Sequence, residues 1–369
     1  MKLKIKTTTL LNGLNKVSNV IDNKNAIEGL TGIYLKAENN NLTLIGSDSS
    51  LTIKCVIDHD IEVYESGAVI LPQVFTNFVS KISDEWLEFY VLDNHQGQII
   101  TSKSKFNLNG IDPYIYPTID FSLSGDKLTL NTNDFKRIIN ETAYAVSVDE
   151  LRPMLSGINF VCQNQTLTLA ATNSFRLAQS ILPINESIET NIIVTSKCLT
   201  TFKNIVGNLE QVDIYVSNQK ILIDLGNVII QSSLISGVYP NINNLIPTEF
   251  ASTITFNKKE LYNSLDIANL LAFKNNYIVT LKNEEDKLYL YTRSQELGSA
   301  DEIVDFIKQE GEPIDVSFNS KYVIDALKVL DSEDIIMNFN GTMGPFVITS
   351  SDEANKSIQL VLPVKTHFN

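Results

Sequence analysis

Apolar residues recur at helical spacing in three widely separated places. They are Leu10, Leu14, Val17 and Ile21 in TTTLLNGLNKVSNVI, Phe135, Ile138, Ile139 and Val146 in NDFKRIINETAYAV, and Leu261, Leu265, Ala268 and Ala272 in KKELYNSLDIANLLAF. The three starts lie about 125 residues apart. A second set repeats at the same interval: LPQVFTNFVSKI, TSKCLTTFKNIV and NSKYVIDALKVL, with Pro72-Gln73, Ser196-Lys197 and Ser320-Lys321 in register. Each copy of the repeat therefore carries two helices. Between the helices the pattern changes to strand, polar turn, strand: GIYLKAENNNLTLIGSD, GINFVCQNQTLTLAATN and YIVTLKNEEDKLYLYTR. Stretches such as WLEFYVLDNHQGQIITSKSKFNLNG read as further hairpins. The unit is helix, strands, helix, strands, an α+β repeat. Copies one and two end in the proline-bearing segments GIDPYIYPTIDF and GVYPNINNLIPTEF, which suit linkers. Three domains are expected, 1–126, 127–249 and 250–369.

Composition narrows what such an array does. At 369 residues and 43% hydrophobic content the chain can bury substantial cores, and no run of about 18 apolar residues suggests a membrane span. With no signal-like segment after Met1, a cytoplasmic location is expected. Cys55, Cys162 and Cys198 are odd in number and far apart, which fits buried thiols better than a disulfide framework or a zinc site. The net charge of −14 argues against nucleic acid until its distribution is considered. The six helical windows hold 12 Lys and Arg against 7 Asp and Glu, an excess of about +5, and the rest of the chain carries about −19. Lys136 and Arg137 fall on the helix face opposite Phe135, Ile138 and Ile139.

Catalysis finds little support. Ser174 lacks a G-x-S-x-G context, and the histidines His59, His95 and His367 stand in no recognisable catalytic setting. Walker A, G-x-G-x-x-G and H-E-x-x-H patterns are absent, so no cofactor or metal is expected. A repeat-built acidic hydrolase or carbohydrate-binding protein would cluster aromatics and paired carboxylates at a cleft. Trp86 is the only tryptophan, and aromatics make up 8%.

The three-copy organisation, the Ser-Asp segment near Ser47, LRPMLSG, TNSFRLA, FNSKYVIDAL, FNGTMGPFVI and the tail QLVLPVKT together resemble the bacterial DNA polymerase sliding clamps, the beta subunits of the replicative polymerase. The resemblance covers the whole chain, in order and spacing, and is close to clamps of low-GC Gram-positive bacteria. It implies three clamp domains, each with two inner helices on outer antiparallel sheets, and two chains closed head to tail into a ring. It implies a non-enzymatic processivity factor whose partners are duplex DNA, bound without regard to sequence, the replicative polymerase, the clamp loader, repair proteins with clamp-binding motifs, and a second copy of the chain.

Site residues follow from the same resemblance. Thr172, Ser174, Phe175, Arg176 and Leu177 match one wall of the pocket that receives short partner peptides. Leu155, Pro240, Asn244 and Leu245 match a second wall, and Val361, Leu362, Pro363, Val364 and Lys365 a third. Only the middle copy follows its polar turn with Phe-Arg-Leu; GSDSS and YTRSQELG stand in the other two. DNA contacts are expected from Lys24, at a loop position where relatives carry a basic residue, and from Lys81, Lys136, Arg137, Lys197, Lys203, Lys258 and Lys259. Phe106 and Leu108 match one side of the dimer joint, Leu270 and Leu271 the other. Three departures are visible: Asn173 stands where the family usually has Asp, Phe175 where it has His or Tyr, and Glu28 where a proline is frequent. They leave a divergent repair, plasmid or phage clamp as the alternative.

Overall fold

The computed structural model describes residues 1–149 and 151–365; His367 lies outside them. Six α-helices are described: α1 (Thr7–Ser18), α2 (Val74–Val79), α3 (Thr132–Ala143), α4 (Ser196–Ile205), α5 (Lys258–Ala272) and α6 (Ser320–Val329). Each is entered from a strand. The alternation in KLKIK, DKLTLN and STITFN buries Leu3 and Ile5, Leu128 and Leu130, and Ile254 and Phe256, so a strand precedes the first helix of every repeat where the sequence pattern had suggested a helix start alone.

The helix starts are satisfied locally. Asn257 accepts from the backbone N–H of Lys259 and Glu260 to cap α5, and Asn319 accepts from that of Lys321 to cap α6. For α1 the preceding residue is Lys6, whose side chain gives no cap; instead the N–H of Thr7 donates to the Glu85 carbonyl and its hydroxyl to the Asp84 carbonyl. Leu10, Leu14 and Val17 pin α1 to the sheet beneath it. The approach is close enough that a Cβ on Gly13 would stand 2.8 Å from Ile57 Cδ1, and one on Gly46 would stand 2.2 Å from the Val17 carbonyl oxygen.

All strand pairing among the named strands is antiparallel, in four sheets, and the sheets do not respect the repeats. The chain forms two compact units. The first is Met1–Thr132 with Lys197–Leu234, and the second is Asn133–Ser196 with the chain from Ile235 onward. In the first unit an eight-stranded sheet runs Asp126–Asn131, Gln211–Val216, Lys220–Asp224, Val228–Ser233, Leu51–Ile57, Asn41–Ser47, Gly32–Glu38, Gly67–Pro72. Four strands of the second repeat thus continue into four of the first. The junction is Val228–Ser233 against Leu51–Ile57, with Ser232 opposite Leu51 and Ile230 opposite Ile53.

The second unit repeats the device with nine strands: Thr190–Thr195, Gly157–Gln163, Thr166–Thr172, Arg176–Pro183, Ile358–Val361, Phe346–Ser350, Asp334–Phe339, Ser252–Asn257, Lys308–Gly311. Its junction sets Arg176 opposite Val361 and Ala178 opposite Gln359. Each unit also holds a smaller sheet. In the first, the five-stranded sheet Ile61–Glu65, Lys2–Lys6, Trp86–Val91, Gly97–Ile100, Lys105–Leu108 ends at Lys105–Leu108. In the second, the four-stranded sheet Gly298–Ile303, Lys287–Ser294, Ile278–Glu284, Asp315–Asn319 ends at Gly298–Ile303.

Candidate functional site

The segment Thr172 to Arg176 is a tight hairpin turn built by side chains on its own backbone. Asn173 Oδ1 accepts from the N–H groups of Phe175 and Arg176, both at 3.0 Å, and the Thr172 hydroxyl donates to the Arg176 carbonyl at 2.7 Å. Ser174 takes φ 75°, and its hydroxyl accepts from Arg152 Nη1 at 3.0 Å. The first repeat makes the same turn: Asp48 Oδ1 accepts from Ser50 and Leu51, and Ser49 takes φ 84°. Asn173 therefore does with a neutral amide what Asp48 does with a carboxylate. The turn leaves Phe175 61% exposed.

Strand pairing then brings the tail to this turn. The Leu362 N–H donates to the Phe175 carbonyl at 2.9 Å, one step beyond the Arg176–Val361 pair. Val364 donates to the Ser317 carbonyl and Pro363 bridges to Phe318, so the chain keeps a defined course as far as Val364. Beneath lies an apolar cluster that includes Leu155, Leu177, Tyr239, Ile242, Val347 and Leu360. The Thr172 N–H donates to Tyr239 Oη, which fastens the linker to the hairpin, and burial pushes that phenol up to about 12.

Of the residues matched to the pocket, Leu155 and Leu177 are buried in this cluster and Thr172 is buried above it, whereas Val361 turns away into the separate core that holds Ile254, Phe318 and Phe346. Phe175, Leu245 and Leu362 expose apolar surface above, with Ser174, Pro240, Asn244 and Lys365 also exposed and Pro363 and Val364 half-buried. Tyr239, Ile242, Met154, Ile246 and Phe250 belong to the same cluster and were not singled out in the sequence. The apolar positions of VYPNINNLIPTEF were the available signal, but its prolines marked it only as a linker.

Arg176, matched to the pocket wall in the sequence, is held on several sides. Its guanidinium carbon lies 4.8 Å from the ring centroids of both Tyr144 and Tyr322. Nη1 donates to Asp325 Oδ2 at 2.7 Å, Nη2 to the Tyr144 carbonyl at 2.6 Å, and the side chain is 12% exposed. It joins the end of α3 to α6.

The basic residues of the helical segments divide by what already holds them. Lys24, Lys81 and Lys259 are exposed, and the loop at Lys24 is shaped by its N–H donating to Asp22. Lys136 and Lys203 are half-buried on α3 and α4. Lys197 ion-pairs with Asp48 at 2.5 Å, and Lys258 Nζ donates to the Leu330 carbonyl at 2.8 Å. Arg137 is the most committed: Nη1 reaches Glu141 at 3.2 Å, and Glu141 is fully buried. Charge reversal at Arg137 would therefore strand a buried carboxylate as well as remove a cation.

At the ends of the smaller sheets, Phe106 and Leu108 are half-buried on Lys105–Leu108, and the Phe106 ring centroid lies 5.8 Å from that of Phe78. On α5, Leu261, Leu265, Ala268 and Ala272 face the core. Leu270 is 71% exposed and Leu271 half-buried, while Ile267 and Phe273 add a stripe at three-residue spacing that the sequence reading passed over.

Among the described residues no cluster of His, Cys, Asp and Glu could hold a metal, and no helix is long and apolar enough to cross a membrane. Burial pushes the thiols of Cys162 and Cys198 up to about 12, far from reactive thiolates.

Helices on antiparallel sheets that run across repeat boundaries define a three-repeat DNA clamp fold. Family models match along the chain: DNA polymerase III beta subunit, N-terminal domain at residues 1–120, central domain at 129–241 and C-terminal domain at 243–365. A beta sliding clamp of Staphylococcus epidermidis is 33% identical over 377 aligned residues, and one of Staphylococcus aureus 32%; each comparison covers all of both chains. The crystal structure of the DNA polymerase III beta chain of Streptococcus pneumoniae superposes with a TM-score of 0.95 at 33% identity, covering 99% of this chain and all of that one. The sliding clamp of Bacillus subtilis gives 0.94 at 31%, covering both in full. The chain belongs to the DNA polymerase III beta subunit family. Its function is that of a replication sliding clamp, a processivity subunit without catalysis of its own.

Proposed function

We propose that two copies of this chain close head to tail around duplex DNA through two of the sheet ends, Lys105–Leu108 of one copy and Gly298–Ile303 of the other. The observation that carries this is the match between those ends and the junctions inside the chain. Lys105–Leu108 ends a five-strand sheet laid out like the one that ends at Ile358–Val361, and Gly298–Ile303 ends a four-strand set laid out like the one that ends at Arg176–Pro183. Joining them gives nine strands in the order already found in the second unit. It also leaves no open edge at that joint, and two identical joints close the ring.

On this reading Phe106 and Leu108 meet Leu270 and Leu271 of the other copy, with Ile267 and Phe273 extending the contact. Domains spanning 1–126, 127–249 and 250–369 present their basic helices to phosphate. Lys24, Lys81 and Lys259 make the free contacts; Lys136 and Lys203 add charge, while Lys197, Lys258 and Arg137 also hold the protein together. Sequence-independent contacts let a linked ring slide, and the acidic remainder of the chain disfavours DNA outside it. The apolar surface at Phe175, Leu245 and Leu362 takes leucine- and aromatic-bearing peptides of the polymerase, the clamp loader and repair proteins. The location is the cytoplasm.

The test is retention on DNA. Loaded by a clamp loader, the parent protein stays on nicked circular DNA and is lost when the circle is cut. Changing Leu270 and Leu271 together to Ala, at about 2 to 5 kcal/mol for each leucine buried in the joint, gives monomers in sedimentation at low micromolar concentration and no retention. Equal loss of the parent from circle and line, or an unchanged dimer mass in the variant, overturns the reading.

A further inference from the structure

The strand Ile358–Val361 is four residues long and paired along both edges, and it is covered on both faces: Leu360 packs in the cluster with Leu177, Val361 in the core with Phe318 and Phe346, and Gln359 is buried as well. A strand covered on both faces has no inside-outside alternation to fix its register. Yet this strand delivers Leu362 to the groove. Gln359 breaks the apolar run, and its side chain is fully buried. Its Oε1 accepts from the Tyr144 hydroxyl at 2.7 Å, and its Nε2 donates to the Glu141 carbonyl at 3.2 Å and to Ser357 Oγ at 2.5 Å. Burial pushes the Tyr144 phenol well above its ordinary value, so it remains a donor.

The partners are themselves anchored. The Glu141 carboxylate accepts from Arg137, from Ser180 Oγ on the neighbouring strand and from Asn355 Nδ2 at 3.0 Å. Tyr144 passes the chain of contacts to Arg176 through its carbonyl and its ring. The first repeat supplies an internal control. With Leu51 opposite Ser232 as the counterpart of Arg176 opposite Val361, Gln359 corresponds to Ile230 and Ser180 to Cys55. Counting from the helix starts Thr132 and Thr7, Glu141 corresponds to Lys16. The polar cluster is therefore not required for this kind of strand junction.

We propose that Gln359, held by Tyr144 and Glu141, is a positioning residue for the peptide groove, fixing the register of the last strand and with it the placement of Leu362 beside Phe175. Ser357 travels with Gln359 in any slip along the ladder, but Tyr144 and Glu141 do not, so a slip would cost the amide its bonds to both and the observed register is the one that keeps them. The proposal rests on the groove reading above and adds what sets the groove's shape.

The test uses the full chain with Gln359→Met, which keeps length but removes the polar contacts, and Tyr144→Phe, which keeps the ring beneath Arg176. A fluorescein-labelled peptide containing leucine and phenylalanine reports affinity by anisotropy. Fragment-resolved hydrogen exchange compares residues 360–365 with the Asp334–Phe339 strand. In Gln359→Met, affinity falls roughly tenfold, and exchange rises by a similar factor over 360–365 while Asp334–Phe339 stays protected. Tyr144→Phe changes both in the same direction by less, and decides the matter if Gln359→Met does not fold. A folded variant with parental affinity and parental exchange over 360–365 overturns the proposal, as does a rise in exchange spread evenly over both strands. If the parent itself ignores the peptide, the groove reading fails, and exchange over 360–365 alone decides whether Gln359 sets the register.

Discussion

The junction between repeats one and two and the junction between repeats two and three use the same backbone plan with different side chains. Both put a three-residue turn, with a positive φ at Ser49 or Ser174, at the head of a strand that pairs with a strand of the following repeat. In the first, the turn carries Ser49 and Ser50, and Asp48 is fastened to α4 by Lys197. In the second, the turn carries Phe175, and the junction is held by Arg176 between two tyrosines and by the buried group around Glu141 and Gln359. Duplication of a fold duplicates strand pairing, which is backbone chemistry, whereas the proposed peptide recognition rests on the side chains at one turn. The second junction also buries more polar groups, which is costly unless every partner is placed.

The largest expected difference between the junctions is in stability. Arg176→Ala removes the partner of Asp325, both rings' cation and the donor to the Tyr144 carbonyl, and costs about 3 kcal/mol. Lys197→Ala breaks an ion pair whose lysine is 51% exposed and costs no more than about 1 kcal/mol. Thermal melts of the two variants beside the parent measure this, and equal shifts would erase the distinction.

Recognition should separate the junctions next. Changing Phe175 and Leu362 together to Ala lowers peptide affinity by roughly a hundredfold without loss of fold, because both are exposed apolar side chains. Ser50→Ala, at the position of Phe175 in the first turn, leaves affinity unchanged. Leu177 is unsuitable as a probe of the rim: it is 1% exposed, and a charge there would disturb the floor of the cluster. Anisotropy titration with the labelled peptide decides. A weakened Ser50→Ala would mean that the first turn also binds.

Much of this was legible in the chain, and the rest was hidden for identifiable reasons. Helix faces such as Leu261, Leu265, Ala268 and Ala272 were plain because a 3.6-residue period persists over several turns. The strand before each leading helix was overlooked although KLKIK, DKLTLN and STITFN alternate, because five or six residues running directly into a helix offer no turn signal. Phe175 and Leu362 stood out through family resemblance, yet nothing local announces that they are neighbours; that follows from pairing across 185 residues of sequence. Arg137 read as a helix-face cation for DNA although Glu141 stands four residues on, and Arg176 read as part of the pocket wall because nothing near it in the sequence points to Asp325. The burial of Glu141 and the reach of Arg176 to Asp325 became visible only in the fold.

The smallest effect tests the first junction alone, through pH. Burial by itself would raise the Asp48 carboxyl, but hydrogen bonds from Lys197, Leu51 and Ser50 outweigh it and hold the group below the ordinary carboxylate range. A folded-state value below the unfolded one means that Asp48 adds stability above the unfolded value of about 3.9, and that this is lost as pH falls through the folded value. Asp48→Asn isolates the charge, because an amide oxygen can still accept the turn's N–H groups as Asn173 does. The parent should exceed Asp48→Asn by about 0.5 to 1 kcal/mol near pH 6, with the gap closing below about pH 4 and shrinking in high salt. The turn of the second junction has no such pair: it carries Asn173, and Lys321, the register counterpart of Lys197, lies 5.5 Å from the Tyr277 ring centroid. Melting curves of parent and variant between about pH 6 and pH 2.5 measure the gap; a difference constant across that range would show that the carboxylate's charge contributes nothing to the junction.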